Sequence, residues 1–105
     1  KLVLVLVNLI TNAFEALEKT ENPILMIESF VEDNKLVFTL TDNGKGMDEE
    51  TADRLFDAFY SARNGGLGLG MTTVKNIVDS HKGKILVKSK PDEGTQFRIM
   101  LPIKL

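Results

Sequence analysis

Two side-chain amides, Asn8 and Asn12, lie four residues apart in an otherwise apolar stretch, a spacing that puts both on one side of a helix. An amide among apolar residues is costly unless it finds partners. Its oxygen is a ligand for a hard cation such as Mg²⁺, with phosphate oxygens and water completing the shell. The plainer reading is that the two amides cap or hydrogen-bond a neighbouring element.

Asp42 opens a second island, Asp42-Asn43-Gly44-Lys45-Gly46-Met47. Asp, Asn and Gly are the usual residues of tight turns, which is its simplest explanation. Leu36, Phe38 and Leu40 precede it at every second position, however, and the period of two puts Asp42 on the same, covered side of a strand. A carboxylate aimed inward needs a donor. The exocyclic amine of adenine is one, and Gly44 and Gly46 would let a flat base approach the backbone. The acidic positions do not follow the spacing of an EF-hand calcium loop.

Glycines recur from Gly65 to Gly70, with Gly66-Leu67-Gly68-Leu69-Gly70-Met71 at their centre. The pattern is neither the G-x-G-x-x-G of a dinucleotide site after a strand nor the G-K-[ST] of a Walker loop. It reads either as a plain flexible linker or as a loop running into the N-terminus of a helix that starts at Met71, where free N–H groups and the dipole favour phosphate. Arg63 in this loop would reach a terminal phosphate or be solvated. Gly94-Thr95 opens the last strand, and Thr95 either belongs to a hairpin turn or bonds Asp42, or a water beside it, if the two strands are neighbours.

The elements that must position these groups follow from periodicity. Residues 2–7 alternate Leu and Val, locally a strand pattern, but Leu9, Ile10, Ala13, Phe14, Ala16 and Leu17 follow at gaps of three and four, so residues 1–19 read as a helix. Ile24 to Val31 and Lys35 to Thr41 read as a hairpin turning near Asp33-Asn34. Asp48 caps a short helix to Asp57 with acidic residues in its first turn. A further helix runs from Met71 to His81 with the stripe Val74, Ile77 and Val78, and Gly83 ends it. His81 reads as capping. Strands Lys84 to Lys90 and Thr95 to Ile103 flank the turn Pro91-Asp92-Glu93-Gly94. The order suggests a two-layer α/β sandwich with a mixed or antiparallel sheet.

The 105 residues, 43% hydrophobic and 27% charged, fit one globular domain. A net charge of -2 gives no footprint for nucleic acid. The absence of cysteine excludes a disulfide framework and thiolate metal sites and fits a reducing compartment, with the cytoplasm as default. The run Leu2 to Ile10 is broken by Asn8, and is far shorter than the roughly 20 residues of a membrane span. It continues with helical periodicity instead of a cleavage site, as though the chain begins inside a helix whose upstream part is missing.

Taken in order, these islands resemble the ATP-binding catalytic domain of sensor histidine kinases, in the superfamily that includes DNA gyrase, the Hsp90 chaperones and MutL. Asn8-Leu9-Ile10-Thr11-Asn12-Ala13 is similar to its N box, Asp42 to Met47 to the first glycine box, and Leu55-Phe56-Asp57-Ala58-Phe59-Tyr60 to the F box. Gly66 to Met71 and Gly94 to Phe97 are similar to the second and third glycine boxes.

The resemblance implies an α+β, two-layer Bergerat fold with a mixed sheet covered on one face by helices, spanning residues 1–105. It implies Asn12 as the Mg²⁺ ligand, Asp42 as the adenine contact, Gly44, Gly46, Met47, Thr95 and the second box, from Gly66 through Met71, as nucleotide contacts, and Phe56 and Phe59 as lid anchors. Arg63 stands where the family often has a basic lid residue. Asn8 replaces the glutamate that other branches use to activate water, and an amide cannot act as a general base. Glu15 and Leu67 depart from the usual basic residue and threonine. No phosphoacceptor motif occurs in the chain, so a histidine on a separate dimerisation domain, and a response regulator beyond it, are the implied partners.

Overall fold

A computed structural model of the protein describes residues 2–57 and 69–103. Helix α1 (Leu2–Leu17) leads into strands β1 (Leu25–Glu32) and β2 (Lys35–Asp42), the short helix α2 (Glu49–Arg54), helix α3 (Leu69–Ser80) and strands β3 (Lys84–Lys90) and β4 (Gly94–Pro102).

Both hairpins follow from their turn residues. Asp33 and Asn34 take up φ of 53° and 60° between the paired Glu32 and Lys35, left-handed values that suit Asp and Asn in a two-residue hairpin. In the β3–β4 turn Asp92 and Gly94 do the same, with φ of 64° and 94°. The four strands run in the order β1-β2-β4-β3 and every pair is antiparallel. Among the described strands the sheet is therefore antiparallel and not mixed, because each hairpin turns directly back and β4 slots between β2 and β3.

One face of this sheet carries Leu40, Phe97, Ile99, Leu101 and Ile85 against Val5 and Leu9 of α1 and Met71, Val74, Ile77 and Val78 of α3. Leu9 and Ile99 are each 1% exposed, and full burial of such a side chain is worth about 1.5–3 kcal/mol. On α1 the buried line is Val5-Leu9-Ala13-Leu17, one residue per turn, whereas Phe14 is 64% exposed. The helix expected from these spacings is present, and only part of its apolar set faces the sheet. The opposite sheet face is not wholly polar: Val37 and Thr39 are buried there, beside Phe30 and Arg98, whose guanidinium lies 5.6 Å from the Phe30 ring centre and 3.2 Å from Glu32.

Helix ends match their residues. The Asp48 carboxylate accepts the Thr51 N–H at 2.8 Å, capping α2, and this bond lowers its pKa. At the end of α3, Lys82 N–H bonds Asp79 O and Gly83 N–H bonds Val78 O, and it is Lys82, with φ of 60°, that adopts the left-handed turn. This is a Schellman closure with the stop one residue earlier than the glycine. The His81 ring caps the same end, its Nδ1 lying 2.9 Å from Ile77 O. No helix among the described residues is long and apolar enough to cross a membrane.

Candidate functional site

Strand β2 delivers Asp42 to the helix-covered face, where it is 7% exposed. Its Oδ1 accepts the Gly44 N–H at 2.8 Å. Desolvation by burial raises its pKa, opposed by hydrogen bonds from the backbones of Gly44 and Thr95. Thr95 is its register partner on β4, so the two strands are neighbours, and Thr95 is itself buried.

The loop after Asp42 is clamped from three sides. Lys45 N–H bonds Ala16 O at the end of α1, Asp92 N–H bonds Lys45 O from the β3–β4 turn, and Met47 N–H bonds the Ser89 hydroxyl at 2.8 Å on β3. Gly46 has φ of 67°, and a Cβ there would overlap the Lys90 carbonyl. The Asn43 side chain ties the loop back to the start of β1 by accepting Ile24 N–H and donating to Asn22 O.

Between this loop, α2 and the β3–β4 hairpin lies an open cleft of about 690 Å³ whose lining includes Asp42, Met47, Ala52, Val87, Ser89 and Thr95. Its lining sets the buried Asp42 and Thr95 beside apolar Met47, Ala52 and Val87, with charged Glu49, Lys88, Lys90 and Glu93 around them.

A second group sits between α1 and α3. Asn8 Nδ2 donates to Gly70 O at 3.3 Å, and Asn12 Nδ2 donates to Met71 Sδ at 2.6 Å. Each amide nitrogen thus holds the first turn of α3, the plainer of the two readings offered by sequence, and the oxygens are the atoms left to act as ligands. Met71 is 5% exposed and packs in the core, so its side chain does not line the cleft and touches the site through Asn12. No group of three or more His, Asp or Glu side chains that could hold a metal occurs among the described residues.

Helix α3 begins at Leu69, two residues before the expected Met71, and Thr72 Oγ1 donates to Phe56 O at 3.2 Å, joining the F-box segment to it. Phe56 packs against the core. Phe59, Arg63, Gly66, Leu67 and Gly68 lie outside the described residues. Gly44, Gly46, Met47, Asp42 and Thr95 are brought together around one loop. Asn8, Asn12, Gly70 and Met71 form a separate cluster on the helices. Ser89 was missed by sequence reasoning, because in Lys88-Ser89-Lys90 it looks like one more polar residue of a strand; only its inward parity could have marked it.

The sequence model for the histidine kinase-, DNA gyrase B- and HSP90-like ATPases matches residues 1–105. The chain is 36% identical to the sensor protein RprX of Bacteroides fragilis over 94% of its own length and 20% of that protein's. It is 35% identical to sporulation kinase E of Bacillus subtilis over 95% and 13%, and so spans a fifth or less of these two relatives. Among solved structures, the catalytic domain of histidine kinase ThkA superposes with a TM-score of 0.78 at 31% identity, covering 93% of this chain and 63% of that one. The mycobacterial sensor histidine kinase MprB reaches 0.80 at 23% identity, covering 94% and 68%, a likeness of fold. A buried Asp42 beneath a glycine loop, paired helix amides and these matches lead to one conclusion: the chain belongs to the histidine kinase-, DNA gyrase B- and HSP90-like ATPase family.

Proposed function

We propose that this chain is the ATP-binding catalytic unit of a sensor histidine kinase, which holds Mg-ATP and presents the γ-phosphate to a histidine on a dimerisation and phosphotransfer domain. The observation that carries the reading is the buried Asp42 carboxylate at the cleft, beside Thr95 and bonded by the Gly44 N–H. A desolvated acceptor selects a donor such as the adenine amine, and the clamped loop keeps that acceptor in place before any ligand arrives.

The Asn12 oxygen would hold Mg²⁺, which when bound neutralises phosphate charge. The family name includes ATPases, but Asn8 carries no carboxylate to activate water, which favours transfer to a protein side chain over hydrolysis. Arg63 is assigned to the terminal phosphate, Gly66 and Gly68 to the phosphate-covering loop, and Gly70 to the first turn of α3. Positioning supplies most of the rate. A response regulator receiver domain would take the phosphate onward, on the cytoplasmic side of the membrane. The net charge of -2 gives no footprint for a nucleic-acid partner.

The test is a calorimetric titration of the chain with a non-hydrolysable ATP analogue, with and without Mg²⁺. Binding is expected for the wild type, is lost in a folded Asp42→Asn variant, and no longer depends on Mg²⁺ in Asn12→Ala. Tight binding untouched by either change would refute the assignment.

A further inference from the structure

Ser89 stands at a junction of four groups. Its hydroxyl lies 2.8 Å from Met47 N, 2.9 Å from Gly94 O and 2.8 Å from Thr95 Oγ1. A serine hydroxyl has one proton to give and two lone pairs to receive with. Met47 N–H can only donate and the Gly94 carbonyl can only accept. If Ser89 donates to Gly94 O and accepts from Met47, its remaining lone pair must receive the Thr95 proton. The opposite arrangement, with Ser89 donating to Thr95, takes this hydroxyl proton away from the Gly94 carbonyl, a hydrogen bond lost at a buried residue.

Thr95 Oγ1 then faces its other surroundings with lone pairs alone. The hydrogen bonds that reach Asp42 agree, since they come from the backbones of Gly44 and Thr95 and not from the Thr95 hydroxyl. The cleft therefore presents two acceptors from register partners on adjacent strands, the Asp42 carboxylate and the Thr95 oxygen. An amino group at the six position of a purine has two hydrogens to offer such a pair. A carbonyl at that position offers only lone pairs and meets them with repulsion.

We infer that Ser89 is a positioning residue that sets nucleobase choice: by accepting the Thr95 proton it fixes Thr95 as an acceptor, and so makes the cleft favour 6-aminopurines over 6-oxopurines. The inference rests on the proposed use of this cleft for the purine base. It assigns to a β3 residue a selectivity that its neighbours on β2 and β4 express.

The test compares ADP with inosine diphosphate in Mg²⁺ by calorimetry, for wild type, Ser89→Ala, Ser89→Thr and Asp42→Asn, each checked for folding by circular dichroism. In Ser89→Ala the Thr95 hydroxyl is released to donate, and the ADP-over-IDP preference is expected to fall by about five- to tenfold, the worth of one hydrogen bond. Ser89→Thr, which keeps the hydroxyl on a strand that accepts β-branched residues, restores the preference. Equal weakening of both nucleotides by Ser89→Ala, with the ratio unchanged, would mean that Ser89 merely braces the Met47 loop, and the inference fails while the pocket stands. No ADP binding by the folded wild type, or binding and preference indifferent to Asp42→Asn, removes the pocket reading and the inference with it.

Discussion

Asp42 and Thr95 are register partners on β2 and β4, the two inner strands of the sheet. The carboxylate and hydroxyl of the cleft thus stand on backbone paired along both edges.

That placement has a pH signature. Burial raises the Asp42 pKa above its ordinary 3.8, so the fold prefers the protonated acid. The resulting stabilisation is full below 3.8 and is lost as pH rises through the elevated folded-state value. At neutral pH the ionised group is a burden on the nucleotide-free protein. Asp42→Asn is expected to raise the melting temperature at pH 7 while abolishing nucleotide binding, the difference shrinking toward acid. Thermal melts from pH 3 to 8 check this, and a variant less stable than wild type at pH 7 would contradict it.

Gly94 has φ of 94°, and a Cβ on it would overlap the Asp42 carbonyl. Gly94→Ala combines backbone strain of about 1–3 kcal/mol with a clash between the two central strands. Urea titration should show a loss at the upper end of that range or beyond. A loss below half a kcal/mol would mean that the turn rearranges freely.

Met71→Leu separates packing from positioning. The change nearly conserves volume and should cost under about 1.5 kcal/mol, yet it removes the sulfur that receives the Asn12 amide. The expected result is a nearly native melting curve with Mg²⁺-dependence of nucleotide binding weakened several-fold. Unchanged Mg²⁺-dependence would show that Asn12 needs no such anchor.

Leu9 and Phe14 lie on the same helix but differ in exposure, 1% against 64%. Leu9→Ala should destabilise by about 2–5 kcal/mol, and Phe14→Ser by no more than about 0.5 kcal/mol. Denaturant unfolding of the two variants side by side decides whether α1 is seated as described.

These contrasts also show what sequence could carry. The alternation of Leu36, Phe38 and Leu40 gave the inward aim of Asp42, because side-chain parity is local to a strand. The Asp33-Asn34 turn, the Asp48 cap and the Val74-Ile77-Val78 stripe were legible for the same reason. The exposure of Phe14 was not legible, because apolar residues surround α1 almost completely and periodicity alone could not choose which arc meets the sheet. The role of Ser89 depends on which strands are neighbours and in what register, and the antiparallel order places β4 between β2 and β3 through contacts remote in sequence. Lys82, not Gly83, turned left-handed at the end of α3, since a glycine in the next position satisfies the same closure.

The two hairpins can each form from contiguous residues, and the sheet is completed only when the β4 edge of the second pairs with β2 of the first. During synthesis the nascent chain can therefore build α1 and the first hairpin long before it has a cleft. The cleft is complete only when Thr95 comes alongside Asp42, and a chain stopped short of β4 leaves the inner edge of β2 without its partner, the kind of open strand edge that invites wrong pairing.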